Sequence, residues 1–253
     1  MLNGRPRSNT SINEKPSPDG NHFLPARVNP RIISDATIGL SDGLTVPFAL
    51  TAGLSALGDT RIVIYSGFAE LIAGGISMGL GGYLGAKSEA EAYRAAFTET
   101  KMVVSSDQQR AATLVRETFT CYDFSETVLP EITASLRSHP SQLIDFLMRF
   151  HHRFAEADFA PSRAYVSGIT IACGYVAGGL VALLPYLFFS NIQDGFVCSI
   201  VVMALALFGF GWAKTAAVGE RDKLVCIQSG VQMMVLGGVA AGAAVGCVKA
   251  IES

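Results

Sequence analysis

Two carboxylates stand where a carboxylate is expensive. Asp42 lies in the apolar stretch Ala36–Gly58, and Glu70 lies in the apolar stretch Ile62–Ala86. An ionisable group in the middle of a bilayer costs at least about 2.5 kcal/mol on insertion scales, so each acid is a functional-site candidate by default. Asp35 precedes Asp42 by seven residues, two helical turns, and shares its face at the mouth of the first stretch. Met78 follows Glu70 by eight residues and lies near the same face. Pro47 removes a helix hydrogen bond and frees a carbonyl near Gly43 and Thr45. Two carboxylates, a freed carbonyl and a thioether form a mixed oxygen and sulfur set. Such a set suits divalent manganese and iron, the thioether adding preference for softer ions over magnesium or calcium. Carboxylates also titrate, which lets metal and protons compete for one site. The competing structural roles are hydrogen bonding between helices for the acids and plain packing for Met78.

Other chemistry is thinner. His151 and His152, with Glu156 and Asp158, offer metal-ligating groups, but adjacent histidines on a helix point to different sides. Cys173, Cys198 and Cys247 read as small core residues and Met233–Met234 as packing. The five cysteines form no CxxC pair and predict neither a disulfide framework nor a zinc site. No nucleophile–histidine–acid set, phosphate-binding glycine loop or dinucleotide fingerprint is present, so the chain does not read as an enzyme and no bound cofactor is expected.

The elements that must hold these residues are membrane helices. Half of the 253 residues are hydrophobic, 16% are charged and the mean hydropathy is +0.38, against about 25% charge in soluble domains. A net charge of −2 leaves no basic field for nucleic acid. Five stretches approach the ~20 apolar residues that a spanning helix needs: Ala36–Gly58, Ile62–Ala86, Ala164–Phe189, Gly195–Ala213 and Gln228–Val248. The expected class is an all-α membrane protein: a tail over 1–30, two spans within 31–86, a helical cytosolic domain over 87–162 and three spans within 163–253. Seventeen of the 19 Lys and Arg fall on one side of this arrangement, leaving Arg61 and Lys249 on the other. The N-terminus is therefore expected in the cytosol and the C-terminus on the far side. The first 30 residues, rich in Pro, Asn, Ser and Arg, read as a disordered tail. They lack the apolar core of a signal peptide, and Glu14, Asp19 and the early prolines argue against a mitochondrial presequence.

The insert between spans two and three carries three of the four histidines and strong helix signals. Its first stretch continues the second span with good helix formers from Ser88. Ser105 or Ser106 is expected to cap a helix to about Phe119, and Ser125 another to about Arg137. Pro140 opens a third helix with Leu143, Phe146, Leu147 and Phe150 on one face.

From Asp35-Ala-Thr-Ile-Gly-Leu-Ser-Asp-Gly-Leu-Thr-Val-Pro-Phe-Ala-Leu through Gly67-Phe-Ala-Glu-Leu-Ile-Ala-Gly-Gly-Ile-Ser-Met-Gly-Leu-Gly-Gly-Tyr-Leu-Gly-Ala-Lys-Ser-Glu, the chain resembles the vacuolar iron transporter family. Its fungal iron and manganese members are the nearest in kind. The resemblance returns at Pro140-Ser-Gln-Leu-Ile-Asp-Phe-Leu-Met-Arg-Phe and at Gly174-Tyr-Val-Ala-Gly-Gly-Leu-Val-Ala-Leu-Leu-Pro-Tyr, and spans roughly residues 31–251. It implies a homodimer of five-span subunits in the vacuolar membrane, exporting Fe²⁺ and often Mn²⁺ from the cytosol in exchange for protons. It implies metal ligation by Asp42, Glu70 and Met78, with Asp35 at the cytosolic entrance.

The insert departs from that family. A row of glutamates usual after the Lys-Ser-Glu motif falls, without gaps, on Ala96, Thr100, Val103, Ala111 and Leu114. Leu147–Met148 stands for a methionine pair, and Phe150 and His151 stand where an acid is usual. Glu99, Glu117, Met148 and Glu156 remain as displaced candidates. The expectation is a kept pore site and a weak or absent cytosolic metal cluster. The rival expectation is a non-transporting scaffold or regulator that lost its metal collector.

Overall fold

The computed structural model describes residues 30–120, 124, 127–154, 159 and 162–252. The expected N-terminal tail, Cys121, the Ser125 cap, Glu156 and Asp158 lie outside them. Among the described residues every regular element is helical.

Helix α1, Pro30–Ser55, ends in a turn through Gly58, whose φ of +78° suits a residue without Cβ. The Asp59 carboxylate then caps α2 by accepting from the Arg61 N–H at 2.8 Å. Helix α2 runs unbroken over 47 residues, Thr60–Ser106, so the second apolar stretch and the start of the insert are one rod of about 70 Å. Arg31 at the start of α1 forms an ion pair with Glu89 on α2.

The insert folds much as expected, with two corrections. Helix α3, Gln108–Thr118, is capped by Asp107 and not by Ser105 or Ser106. The Asp107 carboxylate accepts from the Arg110 N–H at 2.8 Å, whereas both serine hydroxyls donate back to the Met102 carbonyl. Helix α4 covers Val128–Arg137, and α5 covers Pro140–Phe146. Helix α5 passes directly into a π-turn, Leu147–His151. That wider turn rotates the following side chains, so Met148 is buried while Phe150, expected on the inner face, is 60% exposed. Val104 of α2, Ala111, Leu114 and Val115 of α3, and Leu143 and Leu147 form the domain's core.

Three long helices complete the chain: α6, Ser162–Phe188; α7, Ile192–Ala217; and α8, Lys223–Glu252. Helices α2, α6, α7 and α8 are long and apolar enough to cross a membrane by length and composition. Helix α1, at 26 residues, has similar length, but Asp35, Asp42 and its Ser, Thr and Gly residues dilute its apolar content. Helix α6 is the centre of the bundle, packed on α1 and α2 and also on α7, while α8 lies against α7 and α1. Leu44 and Phe48 of α1 share a core with Ala182, Met203, Leu207 and Met233. Tyr186 of α6 and Ser55 of α1 share a hydroxyl hydrogen bond of 2.9 Å, and Ser199 of α7 donates to the Ala182 carbonyl at 3.1 Å. The outer faces stay apolar and exposed, as with Tyr65, Ile72, Ile76, Leu80 and Leu84 along α2. Cys173 and Cys247, expected in the core, also face outward, and Cys226 is the buried one among the described cysteines. With lipid outside, a small apolar residue gains nothing by turning inward, so the sequence pattern does not decide its face.

Candidate metal site

Glycines let α1 and α2 close on Tyr175 of α6. A Cβ on Gly43 would lie 2.3 Å from the Tyr175 carbonyl oxygen, so α1 meets the backbone of α6 at that point. Asp42 immediately precedes that contact on α1. On the other side, a Cβ on Gly74 would lie 2.6 Å from the Tyr175 hydroxyl and 2.7 Å from Glu70 Oε1. The phenol of Tyr175 therefore reaches from α6 over the bare backbone at Gly74 and donates its O–H to Glu70 Oε1. Asp42 stands close enough to act electrostatically on the same hydroxyl.

Glu70 is left half satisfied. Its Oε1 accepts from Tyr175, whereas Oε2 is buried and has no hydrogen-bond partner among the described residues. A buried carboxylate oxygen without a partner carries a desolvation penalty of roughly 1–3 kcal/mol or more. A bound cation or proton would remove that penalty. Asp42 and Asp35 are half-buried on α1, and Met78 is half-buried two turns beyond Glu70 on α2. Ile38 and Val46, one turn either side of Asp42, are 46% and 47% exposed, so the face of α1 beside the acid is open in a single copy. No three histidine, cysteine or acidic side chains among the described residues converge as a ready-made metal cage.

Sequence reasoning reached the two acids and passed over Tyr175, which is 3% exposed. The signal was present: a phenol inside an uncharged span needs a partner for its hydroxyl, and the nearest groups able to accept lie on other spans.

The displaced candidates of the insert do not converge. Glu99 and Glu117 are exposed and Met148 is buried, while Glu156 lies outside the described residues. Thr100, Ala111 and Leu114, aligned with the glutamate row, are buried, and Val103 packs against the same core. The two histidines, expected on different sides, instead meet ring edge to ring face with centroids 5.1 Å apart, while His152 Nε2 lies 3.1 Å from the Thr100 hydroxyl and His151 Nδ1 lies 3.4 Å from that of Thr118. Burial, and then the neighbouring His151, hold the His152 imidazole below its ordinary value, with Glu99 pulling the other way.

Sequence comparison matches residues 33–249 to the VIT family. The vacuolar iron transporter cccA of Arthroderma benhamiae is 44% identical over 230 residues, 89% of this chain and 82% of that protein. Protein CCC1 of Saccharomyces cerevisiae is 46% identical over 221 residues, covering 86% of this chain and 68% of its own length. Vacuolar iron transporter 1 of Oryza sativa subsp. japonica is 39% identical over 243 residues, 95% of this chain and 94% of that protein.

Proposed function

Because the chain belongs to the VIT family, we propose that it carries Fe²⁺, and Mn²⁺ as a second substrate, from the cytosol into the vacuole in exchange for protons. The observation that carries this reading is the unpartnered, buried Oε2 of Glu70 on a helix apolar enough to span a membrane. Charged groups persist there only with a compensating partner, and a passing cation or proton supplies one.

In this reading five helices cross the vacuolar membrane, α1 included. The positive-side rule puts the N-terminus and the insert in the cytosol and the C-terminus in the lumen. A cytosolic ion enters past Asp35 and is held by Asp42, Glu70 and Met78. The lumen is acidic, so protons reaching the carboxylates from that side neutralise them and release the metal. A second copy laid over the open face of α1, where Ile38 and Val46 flank Asp42, completes the coordination that one chain leaves short. Lipid is then the partner of the remaining outer faces, and the protein uses neither a nucleic acid nor a bound cofactor.

The test is Fe²⁺ and Mn²⁺ uptake into proteoliposomes with an acidic lumen. Asp42→Ala and Glu70→Ala are expected to abolish uptake while the purified protein stays folded. Undiminished uptake in both variants refutes the assignment. The burial of Thr100, Ala111 and Leu114, none of them acidic, favours one second reading, a membrane scaffold without transport. Folded wild-type protein that moves neither ion, with or without a pH gradient, selects it.

A further inference from the structure

The hydroxyl of Tyr175 does more to Glu70 than anchor it. A free carboxylate offers a cation both of its oxygens equally, but here the Tyr175 O–H occupies one lone pair of Oε1 and competes for that oxygen, while Oε2 has no partner among the described residues. The tyrosine has little room to swing away, since its backbone abuts Gly43 and its ring edge rests on Gly74. The ions that pass a membrane metal site differ in what they ask of a carboxylate. Calcium takes about six to eight oxygen ligands and commonly draws both oxygens of one carboxylate. A thioether such as Met78 adds nothing for calcium but suits softer transition ions.

We propose that Tyr175 is a specificity-determining positioning residue: by holding Oε1 of Glu70 it disfavours binding of a cation through both carboxylate oxygens and so selects against Ca²⁺. The proposal rests on the reading that Glu70 holds the transported ion. A tyrosine that only staples α6 to α2 weakens all ions alike when removed. A tyrosine that rations oxygens changes the ratio between ions.

The experiment compares wild type with Tyr175→Phe, which keeps the ring and removes the donor. Mn²⁺ uptake into acidic-lumen proteoliposomes is measured against rising external Ca²⁺. In parallel, Mn²⁺ bound to the purified protein is followed by electron paramagnetic resonance during Ca²⁺ titration. The expected result is a Ca²⁺ inhibition constant lower by about tenfold in the variant, the gain of a ~1.4 kcal/mol interaction, with a smaller change in KM for Mn²⁺. Unchanged Ca²⁺ sensitivity in a variant that still carries Mn²⁺ overturns the proposal and leaves the transport reading standing. Where the variant carries nothing, the binding titration decides. Easier displacement of Mn²⁺ by Ca²⁺ than in wild type supports the role, and equal displacement overturns it. Wild-type protein that neither binds nor moves Mn²⁺, or Mn²⁺ uptake that survives Glu70→Ala, overturns the transport site and this role together.

Discussion

Replacing Gly43 by alanine adds one methyl group to the place where the site is assembled. That carbon would fall 2.3 Å from the Tyr175 carbonyl oxygen, where an ordinary contact begins at 3.4 Å. The oxygen belongs to the backbone of α6 and cannot turn aside, so α1 and α6 must part by about 1 Å, an overpacking cost of roughly 1–3 kcal/mol. Alanine returns about 0.8–1 kcal/mol through its better helix propensity, so the net loss of stability is modest. Function is hit harder. Asp42 moves with Gly43, away from Tyr175 and Glu70, and a displacement near 1 Å exceeds the ~0.5 Å tolerance of a ligand set. We expect Fe²⁺ and Mn²⁺ uptake to fall by about tenfold to a hundredfold, the scale set by comparable misplacements in catalytic sites. Gly53→Ala on the same helix is the matched control, since its added carbon meets Ala244 at 3.4 Å. Gly81→Ala on α2 is a second, with nothing within 4 Å. Both controls should keep uptake and melt no lower than wild type. The reasoning fails when Gly43→Ala transports and melts like Gly53→Ala.

Two further outcomes concern the insert. Leu147 is fully buried in its core, so Leu147→Ala should destabilise the domain by about 2–5 kcal/mol, read as faster amide exchange across α3 and α5; unchanged exchange contradicts the packing described. Because the folded domain holds His152 below its ordinary value near 6.5, the unfolded chain binds more protons between 6.5 and that lowered value. Stability of the insert should therefore be complete above pH 6.5 and decline as pH falls through that window. His152→Gln should flatten the decline, and an equal pH dependence in the variant counts against it.

The parts legible in the sequence were those fixed by cost. Apolar runs revealed four helices with the length and hydropathy to span a membrane. The expense of a charge there singled out Asp42 and Glu70, and the fold gives Glu70 the Tyr175 hydroxyl while Asp42 acts electrostatically on the same group. What stayed hidden depends on partners distant in sequence or on cooperative geometry. Tyr175 meets Glu70 across 105 positions, and nothing local distinguishes it from a packing aromatic. The π-turn at Leu147–His151 leaves no periodic signature, so a strict helical reading misplaced Phe150. Ser105 and Ser106 are good caps in isolation, but α2 runs on through them and Asp107 takes the role.

The unbroken length of α2 has a mechanical consequence. From Glu70 to Ser106 the rod extends about 54 Å, so a tilt of about 5° at the carboxylate sweeps its far end through roughly 5 Å. Val104, near that end, is locked into the core of the small domain with Leu114 and Leu147, so the sweep is delivered to the whole domain. The helix is a lever with its short arm among the apolar helices and its long arm in the small helical domain. Whatever grips the domain from outside then biases the tilt at Glu70, and under the transport site proposed above an ion binding there would by reciprocity change that grip by the same factor.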